Sequence, residues 1–157
     1  MAIKIDLRVP PCKPAPVVAD FIRQCEDAGF DGVGLLDSQL LERDVFVNMA
    51  QALLATTRIQ VASAVTNPVT RHPSVTAAAA VSLCDIAPGR VTIGVATGDS
   101  ALWGVGLRPA KVAEMRDYIG AVRTLLRGEE ATWQDATFQG KWTNYDPTLA
   151  PKVLVAV

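Results

Sequence analysis

The chain has 157 residues, half of them apolar, with a formal net charge of −1 and a mean hydropathy of +0.24, which is enough to bury a sizeable core. No apolar run approaches the roughly 20 residues that a spanning helix needs, no basic and apolar leader opens the chain, and scattered charges leave no footprint for nucleic acid or an anionic membrane. Three widely spaced cysteines and one histidine argue against a metal site and for the reduced thiols of a cytoplasmic protein.

Ile3 to Val9 alternates with period two. Ile3, Ile5, Leu7 and Val9 share one face of a first strand, and Lys4, Asp6 and Arg8 share the other. Pro10, Pro11, Pro14 and Pro16 forbid regular structure, and Val17, Val18, Phe21, Ile22, Cys25 and Ala28 then follow at helical spacing up to a capping Gly29. Phe30 to Leu36 is a second short buried strand ending in Asp37-Ser38-Gln39. A second helix runs from about Asp44, placed to cap its first turn, to Ala55, with Phe46, Met49, Ala50 and Leu53 on one side.

Ile59 to Val65 reads as a fully buried strand of a parallel sheet. It stops abruptly at Thr66-Asn67-Pro68-Val69-Thr70-Arg71-His72-Pro73, just before a third helix, Ser74 to Ile86, that directs Val75, Ala78, Ala79, Ser82, Leu83 and Ile86 inward. Val91 to Ala96 is a fourth strand ending in Thr97-Gly98-Asp99-Ser100. Val112, Met115, Ile119, Val122 and Leu126 mark the clearest helix, capped by Gly128. Glu129 to Ala150 is an excursion with one short strand, and Lys152 to Val157 is a fifth strand. Strands alternating with helices dictate a single α/β domain, residues 1–157, with a parallel sheet and right-handed crossovers.

Polar residues recur after strands two, three and four, where sheets of this kind bind ligands. Helix capping is the competing reason for such residues, but the caps proper fall later, near Asp44 and Ser74. Arg71 and His72 stand at a helix start where backbone N–H groups could take phosphate, and the position of His72 favours a structural role in the turn. The Ala77 to Ala80 run suits close helix packing, inside the fold or at a dimer interface. Trp103, Trp133 and Trp142 are candidates for a pocket wall. No Walker loop, dinucleotide fingerprint or nucleophile elbow occurs.

Gly29-Phe30-Asp31-Gly32-Val33, Asp37, Ala64-Val65 with the Thr66-Asn67-Pro68 turn, Ala87-Pro88-Gly89-Arg90 and Gly94 to Ser100 stand in the order typical of one family. The chain resembles the bacterial-luciferase-like superfamily, nearest its branch that uses the deazaflavin coenzyme F-420, as in methylenetetrahydromethanopterin reductase. The resemblance implies the N-terminal portion, about five β/α units, of a TIM (β/α)8 barrel, since a whole barrel takes about 250 residues. It further implies a non-prolyl cis peptide at Ala64-Val65 backing the ring. Thr66, Asn67, Thr97, Gly98 and Asp99 would line the ring, Asp6 would lie near it, and Asp37 would orient substrate or move protons.

Ser38-Gln39 stands where some flavin-dependent members carry histidine, which favours the deazaflavin. The expected function is hydride transfer between F-420 and a small organic substrate by a homodimer. The alternatives are an FMN-dependent monooxygenase, a non-catalytic cofactor-binding or structural half-barrel, and a truncated gene product.

Overall fold

The computed structural model describes residues 3–156; Val157, the end of the expected fifth strand, lies outside them. Five strands, β1 (Asp6–Val9), β2 (Gly32–Leu35), β3 (Gln60–Thr66), β4 (Val91–Val95) and β7 (Lys152–Val155), form one parallel sheet in the order β1-β2-β3-β4-β7. Three crossover helices, α1 (Ala15–Asp27), α2 (Val45–Ala55) and α3 (Pro73–Ile86), join the first four strands. A short α4 (Ser100–Trp103), a long α5 (Val112–Leu126) and an antiparallel hairpin, β5 (Glu130–Trp133) with β6 (Ala136–Gln139), lie between β4 and β7. Parallel neighbours joined by crossovers of one hand place their helices on one side, which is how a β/α barrel is wound.

The register shows the two faces of the sheet. On the covered face Val33 pairs with Leu7 and Val61, and Ile93 with Ser63 and Val153. These residues meet Ile22, Met49, Leu53, Ala77, Ala80, Tyr118 and Leu125 of the helices in one core. On the other face, Asp6 is level with Gly32 and Gln60, while Arg8, Gly34, Ala62, Thr92 and Lys152 form the next level. Here Asp6, Arg8, Gln60 and Lys152 are exposed, and Ala62 and Thr92 are half-buried.

Several local expectations need correction. The first strand begins at Asp6 rather than Ile3, because β2 offers no ladder partner before Gly32. Asp31 holds Ile5 instead: its carboxylate accepts the Ile5 N–H and its own N–H donates to the Ile5 carbonyl. The buried face of α3 is Thr76, Ala77, Ala80, Val81, Leu83 and Cys84, with Val75 and Ile86 exposed. An alanine-rich helix is apolar all round, so its inward side is set by fit to the sheet rather than by periodicity. Ala77 and Ala80 are fully buried within the chain's own core, so internal packing accounts for them. Residues 129 to 150 hold two short strands instead of one, turning at Gln134 with φ of 53°.

Candidate functional site

A cleft of about 490 Å³ opens at the C-terminal ends of the strands. Ala64 and Val65 line it, and Gly34 and Gly94 pack close against those two residues. A Cβ added at Gly34 would stand 2.8 Å from the Ala64 Cβ, and one at Gly94 would stand 2.3 Å from the Ser63 carbonyl oxygen. Any larger residue at Gly34 or Gly94 must push its neighbour away, so the strand tips lie close together there. The β3–β4 register shifts between Ser63 and Thr66, and the Ala64-Val65 peptide is cis, as expected. Gly98, at φ of 97°, lets the β4 loop turn beside Asn67 and over Leu102, where a side chain would meet the Leu102 Cδ1 at 2.5 Å.

Asp37, Ala64, Val65, Asn67, Thr97, Gly98 and Asp99 all line this cleft. Two other residues singled out from the sequence lie apart from its lining. Thr66 is fully buried, and its Oγ1 has no hydrogen-bond partner among the described residues. Asp6 sits further down the bare face, its carboxylate leaning across Gly32 to within 2.6 Å of where a Cβ would be. Arg8, Ser38, Glu42, Ser100 and Met115 line the cleft without having been singled out as site residues. Arg8 could have been found, since strand alternation puts it on the face of Asp6 and nearer the tip.

Asp37 is buried, and both of its oxygens accept hydrogen bonds from Arg71, from Nε at 3.1 Å and from an Nη at 3.0 Å. That Nη also donates to Asp44 at 3.0 Å, and the guanidinium lies 4.8 Å from the centre of the Phe46 ring. Burial works against the Arg71 charge, but Asp37 and Asp44 together raise its pKa above the usual value. Burial likewise opposes the Asp44 carboxylate, yet bonds from the Val47 N–H, Arg71 and the Phe46 N–H hold its pKa low. Arg71 is therefore committed to tying the β2 loop to the β3 turn. His72 caps α3, its Nδ1 accepting from the Ser74 N–H at 3.3 Å, which agrees with the structural role expected for it.

The loops after β2 and β4 are latched over the cleft. The Ser38 and Ser100 hydroxyls share a hydrogen bond at 2.7 Å, Gln39 donates to the Ala101 carbonyl at 2.7 Å, and Leu40 packs against Gly104. The Asn67 Oδ1 accepts the Val69 and Thr70 N–H groups, fixing the turn after β3. None of the three tryptophans lines the cleft: Trp103 is 71% exposed beside the latch, Trp133 is buried edge-on to Tyr118, and Trp142 packs on Tyr145. Among the described residues no cluster could hold a metal ion, and no helix is long and apolar enough to cross a membrane.

Comparison with known proteins agrees with this geometry. The family model of the luciferase-like monooxygenases matches residues 8–156. The 5,10-methylenetetrahydromethanopterin reductase of Methanolobus tindarius is 31% identical over 124 residues, 78% of this chain and 38% of the relative. The F-420-dependent glucose-6-phosphate dehydrogenase of Kineococcus radiotolerans is 31% identical over 84% of this chain and 42% of the relative. In three dimensions, the coenzyme F-420-dependent tetrahydromethanopterin reductase of Methanopyrus kandleri superposes with a TM-score of 0.74 at 22% identity, covering 98% of this chain and 47% of that one. The chain thus spans less than half the length of each of these proteins.

Proposed function

This chain belongs to the luciferase-like monooxygenase family, and we propose on that footing that its strand-tip cleft binds the ring of coenzyme F-420. The protein would then serve as an oxidoreductase that passes hydride between the ring and a small organic substrate. The observation that carries the reading is the small-residue wall of the cleft, where Ala64 lines the cavity and Gly34 and Gly94, packed against Ala64 and Val65, have no room for a side chain, which leaves a flat ring a resting surface. The residues present fit such a group, whose reduced form supplies the hydride.

In this reading Ala64 and Val65 back the ring, and Asn67, Thr97, Gly98 and Asp99 surround it. Asp6 approaches from below on the bare face. Thr66 supports the ring from behind, through the backbone of the β3 tip. Asp37, with both oxygens held by Arg71, orients the substrate; a carboxylate so engaged serves better as a fixed acceptor than as a carrier of protons. The Ser38–Ser100 latch keeps water from the mouth. Choice of the deazaflavin rather than FMN is supported by the F-420 dependence of the Kineococcus relative and by Ser38-Gln39 at the position where an imidazole would serve a flavin.

The three free cysteines suit the cytoplasm, and a homodimer is the assembly we propose. The test is a titration of the chain with F-420 and with FMN, each followed by the absorbance of the ring, together with size-exclusion chromatography. A red or blue shift saturating with F-420 is the expected result. Saturation by FMN alone overturns the deazaflavin choice and favours the monooxygenase. A dimer that takes up neither ring overturns the enzymatic reading in favour of a structural role.

A further inference from the structure

We propose that Arg8 is the anion-binding group of the cleft, holding a carboxylate or other anionic oxygen of a planar organic ligand. Charge by charge, the lining leads there. Its acids are Asp37, Glu42 and Asp99, and each already has a donor within the chain. Asp37 accepts from Arg71 with both oxygens, Glu42 accepts the Ser38 N–H at 2.9 Å, and Asp99 accepts the Ser100 N–H and hydroxyl. Arg8 is the one cation among the described lining residues, and it has neither a carboxylate nor a hydrogen-bond acceptor among the described residues.

The neighbours of Arg8 explain why it has no acceptor among the described residues. Asp6, two residues earlier on the same face, directs its carboxylate across Gly32. Directly opposite, in register, stands Gly34, which has no side chain to offer. Arg8 thus shares the cleft lining with Ala64 and Val65, with glycine-bearing β2 between their strands. A planar ligand lying against Ala64 and Val65 presents its anionic oxygens to Arg8 for a two-pronged bond. A lining cation without an acceptor among the described residues, beside lining acids that each have a donor, leaves room for one negative group supplied from outside.

That anion has two chemical sources, an organic acid acting as substrate or an ionised oxygen on the ring system itself. The proposal rests on the functional reading above only for where the ligand lies, because the charge inventory belongs to the protein alone. The test uses benzoate and benzamide, planar probes of nearly equal shape that differ by one charge. The native chain, Arg8→Gln and Arg8→Lys are titrated with each by NMR, following the backbone amide signals of the cleft and, in the native chain, the Arg8 Nε–H signal as well, with and without F-420 or FMN. Circular dichroism checks that the variants fold.

For a substrate acid, benzoate binds the native chain about tenfold more tightly than benzamide and moves the Arg8 signal. Arg8→Gln removes that preference without changing benzamide binding, and Arg8→Lys restores part of it. For an anion on the ring, Arg8→Gln weakens ring binding about tenfold while acid and amide bind alike, which also upholds the assignment. Equal binding of the two probes, together with ring affinity indifferent to Arg8→Gln, overturns it. If neither ring binds, the comparison of acid with amide on the ring-free chain still reads Arg8, so failure of the cofactor reading and failure of this one stay distinct.

Discussion

The two ends of the sheet follow different rules. Where the strands begin, the loops are closed by charged groups that hydrogen-bond to the chain on both sides. The Glu26 carboxylate at the end of α1 accepts the N–H groups of Thr57, Arg58 and Ile59, which lead into β3. Arg90, just before β4, donates to the Leu53 carbonyl and the Thr56 hydroxyl at the end of α2. Where the strands end, there are close-packed glycines, an arginine without an acceptor and a buried threonine hydroxyl without a partner among the described residues. The contrast fits the division of labour general to β/α barrels, with stability at the first end and recognition at the second.

The largest effect is expected where the recognition end borrows the other end's rule, at Arg71. Arg71→Ala leaves the buried Asp37 without its partner and should cost about 3–5 kcal/mol in urea unfolding. A loss under about 1 kcal/mol would mean that Asp37 finds water in place of Arg71, and that the cleft end is looser than described. Next comes Gly94→Ala. Its Cβ would meet the Ser63 carbonyl oxygen at 2.3 Å, and a backbone neighbour gives way only by moving a strand, so about 1–3 kcal/mol of stability should go along with ring binding.

Glu26→Gln sharpens the comparison from the other side. It should lower stability by about 1–2 kcal/mol and leave ligand affinity unchanged. Burial opposes the Glu26 charge, but the N–H groups of Ile59, Thr57 and Arg58 outweigh it and hold the pKa down to about 2, from an ordinary 4.5. A depressed carboxyl contributes its stability above the unfolded value and loses it as pH falls through the folded one. The gap between native and Glu26→Gln chains should therefore be full above about pH 4.5 and close towards pH 2. A gap that does not narrow with acid would show that the side-chain shape, not its charge, closes the loop.

The smallest effect on stability is expected at Ser100→Ala, within about 1 kcal/mol. It opens the bond to Ser38, so the change should appear as faster ligand release in stopped-flow mixing. If stability fell while release stayed constant, the latch would belong with the closing devices of the opposite end.

Much of this was legible in the sequence, for reasons that also explain the rest. Strands buried on one face and partly lined by small residues on the other, such as Val61 to Val65, read as short apolar runs. Amphipathic helices such as α5 announce themselves through Met115, Ile119, Val122 and Leu126. The family pattern then led to Asp37, Asn67, Thr97 and Gly98. Alanine-rich α3 hid its inward face, and the short strands β5 and β6 were too brief and too exposed for alternation to single out both. The destination of Arg71 was illegible because its partner lies 34 residues earlier, and only the fold brings them together.

The scattered tryptophans give the molecule two natural optical reporters. Trp133, sealed against Tyr118 under the hairpin, should emit in the blue until α5 and the hairpin separate; Trp103, out on the rim, emits from water and is well placed to dim when a chromophore settles nearby. Replacing Trp142 and one of these two indoles by phenylalanine would let unfolding and occupancy be followed as separate signals, without any attached dye.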